Sequence, residues 1–390
     1  MLFSKNSGIK NSLAVDCGTS GVRGVLFSYE EGAGAKPEVR QIIHVPIGIA
    51  DAVTSDLLRK HTVNALNRLW SEIPHSVRIA GIYIGLSSPF YVSKAFRVSR
   101  NRANTRDPVT RQELDTLIKE STEQFKKDLS EIMPDTNVSE IMVFNQLLLK
   151  TFLNGYRVEN PLGKSGNTME AHLRFEATTA SLYREMTRQA ASAFPAVPIR
   201  LVSIPLAYFY ALGMLFDTDQ GFLLVDVDAE ISDVSIVANG VLERVLTMPL
   251  GSNLFLREVA ELFHVPLPDA AFIVRRYAER TLEETRLRQI TPLVNSFQKT
   301  WQARLVGVLE QYAKDQEIPP RIFFTGSGVL PFYQESFTED FMRALSHSKQ
   351  ASVSLLSPAI MDAYFKKHQF SGPSDMALMC LALLCARGVL

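Results

Sequence analysis

The chain has three cysteines and two tryptophans among 390 residues, no excess charge of either sign and no apolar run long enough to span a bilayer. Each shortage removes a class of function. Cys17, Cys380 and Cys385 lack metal-ligand spacing and stand among apolar neighbours, which argues against a disulfide scaffold and fits a reduced, intracellular chain. Forty-one basic residues balance forty-one acidic ones, so nothing draws the whole molecule to nucleic acid or to an anionic membrane. A partner must be read from local patches. The opening MLFSKNSGIKNS has no apolar core of signal-peptide length, and the best apolar run near the other end, 376–386, is too short to cross a bilayer. The expectation is a cytoplasmic protein without a transmembrane segment. Apolar residues are plentiful, 46% of the chain, which suffices for two or more cores.

The stretch that organises the rest is Leu13-Ala-Val-Asp16-Cys-Gly18-Thr19-Ser20-Gly21-Val-Arg23-Gly24-Val-Leu-Phe27. Two short apolar runs bounded by glycines read as the strands of a hairpin. In its turn, Gly18 and Gly21 let the backbone approach a ligand closely, while Thr19 and Ser20 add hydroxyls to N–H groups that such a turn can aim at a phosphate. Asp16, at the strand exit, suits a hydrated divalent cation, and Arg23 suits phosphate charge. An ordinary glycine-bearing hairpin with Asp16 as a turn residue explains the same letters equally well.

Further along, 42–49 reads as a strand, 55–70 as an amphipathic helix and 78–86 as a strand buried on both faces. From 87 to 166 the character changes. Arg97, Arg100, Arg102, Arg106 and Arg111 crowd a polar stretch, read as a solvated loop, and Thr110-Arg-Gln-Glu113 is a capping box opening a helix. Strand-like segments follow at 136–145 and 148–158, so 87–166 reads as an inserted subdomain. Leu162-Gly-Lys-Ser-Gly166 lacks the first glycine of a phosphate loop and reads as a turn. A strand at 169–175, a helix at 179–194, a strand at 199–204 and a helix at 206–216 lead to a second conspicuous unit.

That unit, Gly221-Phe-Leu-Leu-Val-Asp226-Val-Asp228-Ala-Glu230-Ile-Ser-Asp233-Val-Ser-Ile-Val237, repeats the opening pattern of apolar strand, Asp at the exit, polar turn and apolar strand. It suggests an internal duplication. Asn239-Gly240 then signals a two-residue hairpin turn. Between 254 and 309 the pattern is helical, with Asp269 read as one cap, Thr281-Leu-Glu-Glu284 as a capping box and 293–312 as a long amphipathic helix. Arg321-Ile-Phe-Phe-Thr325-Gly326-Ser327-Gly328 is a strand running into a glycine turn and a new helix, whose amides suit a nucleotide. The last helix, 375–387, is apolar all round and reads as a buried closing helix.

Three Asp- or Gly-bearing strand turns in this order resemble the phosphate-1, phosphate-2 and adenosine segments of the actin, hexokinase and Hsp70 superfamily. Asn160-Pro-Leu-Gly163, a few residues after Gly155-Tyr-Arg-Val158, narrows the resemblance to the FtsA and PilM families, over nearly the whole chain. Pro205-Leu-Ala207 and Gly251-Ser-Asn253 also fall where FtsA has corresponding segments. The resemblance implies an α/β, ribonuclease H-like duplicated fold. Its first half (1A) would take 11–86 and 167–217, with a 1C or SHS2-type subdomain inserted at 87–166. The second half (2A) would take 218–265 and 320–390, with a helical subdomain (2B) at 266–319.

It further implies ATP and magnesium between the halves. Asp16, Gly18, Thr19, Ser20 and Arg23 would meet the phosphates, Asp226 and Asp228 would face them, and Gly326, Ser327 and Gly328 would lie near the purine. Asp16 and Asp226 would hold the metal through water. Two departures oppose nucleotide binding. The family's second phosphate turn is glycine-rich, whereas Asp228 and Glu230 here add negative charge worth a few kcal/mol of repulsion at an effective dielectric of about 20. Ala271 and Val274 fall where FtsA has a Glu and a Lys near ribose and base, with Arg275 or Arg276 as substitutes. The expected role is a cytoplasmic adaptor or assembly component of cell division or type IV pilus assembly, self-associating or recruited to the membrane by a protein partner. That partner would be FtsZ-like or a pilus inner-membrane protein, and nucleic acid is not expected. A nucleotide-free pseudo-actin scaffold and a sugar-kinase-type phosphotransferase are the alternatives.

Overall fold

The computed structural model describes residues 8–390 except 33, 49–53, 75, 103–105, 133–137, 315, 339–340 and 342–351. The expected residues 49 and 136–137 at strand ends therefore lie outside the described residues.

Two five-stranded sheets carry the duplication. In the first, the order is β3 (Glu38–Pro46), β2 (Gly21–Tyr29), β1 (Lys10–Cys17), β4 (Ile79–Leu86) and β9 (Ile199–Ser203). In the second, β12 (Val241–Met248), β11 (Ser232–Ala238), β10 (Phe222–Val227), β13 (Arg321–Thr325) and β14 (Ser352–Leu355) follow one another in the same way. Strand directions also agree, since β1 and β10 each pair antiparallel on one side and parallel on the other. Register fixes the equivalence residue by residue. Asp16 stands opposite Arg23 and beside Gly85, and Asp226 stands opposite Asp233 and beside Thr325.

The β11–β12 hairpin turns through Asn239 and Gly240, both at positive φ (51° and 65°), as its dipeptide requires. Between the two sheets lie α4 (Ile204–Leu212) and α9 (Met376–Ala386), in a core shared by both halves. Every residue of α9 is buried, which explains its apolar circumference. The outer face of the first sheet is covered by α1 (Ser55–Ser71) and α3 (Ala180–Ala193), each started by a threonine side chain at its N-cap. The second sheet is covered by α5 (Ser252–Phe263), α6 (Leu267–Ala278), α7 (Glu284–Ala313) and α8 (Pro331–Glu335).

A third sheet, in the order β5 (Val92–Asn101), β8 (Thr168–Thr179), β6 (Ile141–Leu153) and β7 (Tyr156–Val158), packs on α2 (Arg111–Ile132). It differs from the sequence reading in three ways. The segments expected at 136–145 and 148–158 are one long β6 and a short β7, joined by Asn154-Gly155 at positive φ, a hairpin dipeptide that the reading passed over. The strand after the NPLG turn, β8, pairs with both β5 and β6, so this sheet extends past residue 166 to Thr179. Third, of the five arginines read as a solvated loop, only Arg106 lies exposed in an irregular segment, and Arg111 opens α2. Arg97 and Arg100 lie on β5 and pair with Glu170 and Glu120, and buried Arg102 holds Glu113 through two bonds of 2.6 and 3.0 Å.

Two cap assignments also change. Helix α6 starts at Leu267 with Pro266 as its cap, leaving Asp269 in the first turn. Helix α7 starts at Glu284 and runs through Pro292 as one unit, without a side-chain cap from Thr281.

Candidate functional site

The two hairpins bring their loops face to face, and the first loop donates while the second accepts. Gly18 N–H closes the first turn on Gly21 O at 3.1 Å, which leaves the amides of Thr19 and Ser20 pointing across the cleft. The carboxylate of Asp228 fills that position. Its Oδ2 accepts from Thr19 N–H, from Thr19 Oγ1 at 2.9 Å and from Ser20 N–H at 3.4 Å, and its Oδ1 accepts from Ser327 Oγ. Ser327 Oγ also lies 2.8 Å from Ser20 Oγ, and Glu230 N–H donates to Thr19 Oγ1 at 3.0 Å. The residues expected to cradle phosphate thus cradle a side chain of the same protein.

The glycines make this approach possible. A Cβ on Gly18 would stand 2.6 Å from Asp228 Oδ2, so the absent side chain admits the carboxylate. Gly326, at φ 110°, would place a Cβ 2.2 Å from Val227 O, so it serves the packing of the β13 exit against β10. Gly328 N–H donates to Val227 O at 2.8 Å, and a Cβ there would meet Asp228 O at 2.4 Å.

Asp16 and Asp226 line one cavity between the halves, together with Asp228, Arg23 and Ser327. Burial, with Asp228 adding repulsion and Arg23 opposing it, pushes the Asp16 carboxyl up to about 7. Asp226 is raised well above the usual carboxylate range by burial and then by Asp228, Asp16 and Asp233. Among the described residues no donor reaches Asp16 Oδ1. Arg23, on the cavity wall, is held by its own partners, its Nη1 donating to Ser374 O at 2.7 Å and to Asp375 Oδ1 at 3.1 Å. Glu230 likewise points elsewhere, accepting from Asn253 Nδ2 and Arg257 Nη2 at 2.6 Å each, so the expected repulsion comes from Asp228 alone. Arg276 holds Thr281 O on its own helix end. Among the described residues no group of three or more His, Cys, Asp or Glu is arranged to hold a metal ion.

Sequence reasoning passed over a second set of contacts behind the cleft. Asp233, the counterpart of Arg23, accepts from Ser88 N–H at 3.3 Å and from Thr247 Oγ1 at 2.8 Å, linking the first half to the second. Fully buried Arg174 and Glu176, two residues apart on β8, join all three sheets. Arg174 reaches Ser93 Oγ at 2.7 Å, Glu176 Oε1 at 3.3 Å and Leu242 O at 3.3 Å. Glu176 also accepts from Asn145 at 2.8 Å and from Ser203 N–H at 3.2 Å. In the sequence these two charges merely continue the alternation Glu170, His172, Arg174, Glu176, which reads as a solvent face, so no local signal marked them.

No family model matches the chain, and no curated protein matches it. Solved structures do. A "PilM-PilN type IV pilus biogenesis complex" superposes with a TM-score of 0.64 at 16% identity, covering 96% of this chain and 98% of that one. A Bacteroides thetaiotaomicron protein with actin-like ATPase fold and unknown function gives 0.46 at 11% identity over 98% of each chain. MreB 5 of Spiroplasma citri, bound to AMPPNP, gives 0.45 at 12% identity over 96% of each chain. The fold is that of the actin-like ATPases.

ATP and a divalent cation are the ligands that this fold implies, and the residues here do not fit them. The cavity between the halves measures about 20 Å³, against roughly 300 Å³ or more for an ordinary small-molecule site. The donors that would take a phosphate are engaged by Asp228. The actin-like cleft is closed by its own side chains.

A larger cavity, of about 450 Å³, opens between the N-termini of α1 and α3 and the third sheet with α2. Phe90, Val92, Leu129, Ile141 and Leu182 give it an apolar floor, and Arg59 and Thr179 belong to its polar rim.

Proposed function

We propose that this chain is an adaptor or assembly component of a multiprotein machine, using the actin-like fold as a closed scaffold and the groove between its first half and its third sheet to hold a partner. The occupant is a short apolar segment of another protein. The carrying observation is the contrast in room: about 450 Å³ of mainly apolar groove against about 20 Å³ between the halves. A groove of that size takes a few side chains of a peptide and is too small for a folded domain. The fold shared over almost the whole chain with a PilM–PilN complex supports a pilus-type assembly role over a division role with an FtsZ-like partner. The same reading has that partner bring the protein to the inner face of a membrane; no helix among the described residues is long and apolar enough to cross one.

Site-specific photo-cross-linking in the native host tests this reading. A probe at Ile141 is expected to capture a segment of an assembly-machine protein, and Val92→Asp is expected to abolish that adduct without unfolding the chain. Cross-links that are equally strong from an exposed position on α7, such as Glu310, would overturn the assignment. Equilibrium binding of ATP, with and without magnesium, is expected to show no saturable uptake by the wild-type protein.

A further inference from the structure

We propose that Asp228 is a tethered anion, occupying an oxyanion-binding nest that the fold retains and holding the two halves together through it. The nest comprises Thr19 N–H, Thr19 Oγ1, Ser20 N–H and Ser327 Oγ, and its ligand class is a tetrahedral oxyanion of the phosphate kind. Successive backbone amides and hydroxyls converging on one point form an anion site whatever carries the charge. Three of the four donors, those of Thr19 and Ser20, belong to the first half and the charge arrives on a side chain of the second, beside Ser327, so occupancy and closure are one event.

Two further observations carry the assignment. Gly18 is the residue whose missing side chain admits an incoming group, and what it admits is Asp228 Oδ2, 2.6 Å from where a Cβ would stand. The neighbouring acid, Glu230, is bonded to Asn253 and Arg257 and takes no part, so the second loop delivers one carboxylate to the nest. A loop acid held merely by solvent would make no such set of bonds. The arrangement converts a site that would exchange a diffusible ligand into one with permanent occupancy, because a tethered group is present at a high effective concentration.

The test is complementation of a truncated side chain by a free ion. Asp228→Ala empties the nest. Inorganic phosphate is then expected to raise the variant's thermal midpoint by several degrees in a saturable manner, while chloride at matched ionic strength does not and the wild-type protein responds to neither. Asp228→Asn, which retains the volume but loses the charge, is expected to lie between the two in midpoint and to gain nothing from phosphate. An Asp228→Ala protein that folds and ignores phosphate overturns the proposal. So does a wild-type protein that binds phosphate as well as the variant. Should Asp228→Ala fail to fold, hydrogen exchange of the wild-type protein decides. The amides of Thr19 and Ser20 are expected to be protected at least tenfold over free-peptide rates, and exchange at those rates would refute the tether. None of these readouts involves the partner groove, so the groove assignment stands or falls separately.

Discussion

The two cleft loops occupy equivalent positions in a duplicated sheet, and they have divided the work of one binding site between them. The first, 16–21, keeps glycines and hydroxyls and remains a donor. The second, 226–231, carries Asp228 and is the acceptor. Opposite each strand-end aspartate the contrast recurs: Asp16 has Arg23 as its cross-strand partner, whereas Asp226 has Asp233. The first aspartate faces a cation, which is itself paired with Asp375 of the other half. Burial raises both carboxyls, but Arg23 opposes the rise at Asp16, whereas at Asp226 the neighbouring charges, Asp228, Asp16 and Asp233, all add to it. Duplication therefore preserved the backbone and let the charges diverge.

The largest effect should come from outside the loops. Glu176→Ala leaves Arg174 buried without its carboxylate and cuts the bonds to Ser203 and Asn145. Such a break costs about 3–5 kcal/mol. Asp228→Ala removes bonds in the cleft that are for the most part half-buried, and should cost about 1–3 kcal/mol. Urea denaturation of both variants ranks the two. A larger loss from Asp228→Ala would mean that the loops, and not the junction of the three sheets, are the principal bond between the halves.

The pH dependence of stability probes the electrostatic side of the comparison. A carboxyl raised in the folded state to about 7 binds a proton there that the unfolded chain has already released. Stability contributed by that proton is complete below the unfolded value near 4, falls as pH rises and is lost above 7, with a slope of up to about 1.4 kcal/mol per pH unit for one group. Asp226 acts in the same direction. Asp16→Asn is expected to remove one group's share of the decline between pH 4 and 7, measured as the unfolding free energy at successive pH values. An unchanged slope would show that Asp16 titrates normally.

How much of this was legible beforehand follows from where the determining forces act. The duplicated strands, the closing helix and the Asn239-Gly240 turn are set by local hydrophobic pattern and turn chemistry, and their residues announce them. The Asn154-Gly155 turn was equally legible. The role of Asp228 was not, because its four donors come from residues more than 200 positions earlier and from Ser327, and only the closed fold brings them together. The sequence did reveal that the second loop carried charge where glycine was expected. It could not reveal that the charge had a cradle. The partners of Arg23 were hidden for a similar reason, since Ser374 and Asp375 reach it from the far end of the chain.

The smallest effect is also the most discriminating. Two acids stand two residues apart in the second loop, and by composition alone they are alike. Glu230→Gln loses part of a half-buried ion pair with Arg257 while retaining an acceptor for Asn253, at a cost of about 1 kcal/mol. Because its side chain faces α5 and not the nest, the variant should remain as indifferent to phosphate as the wild-type protein, in contrast to Asp228→Ala. If Glu230→Gln instead became phosphate-responsive, the charge of the loop as a whole, and not one placed carboxylate, would be what keeps anions out. The divergence between the two loops would then be a matter of net repulsion and not of occupancy.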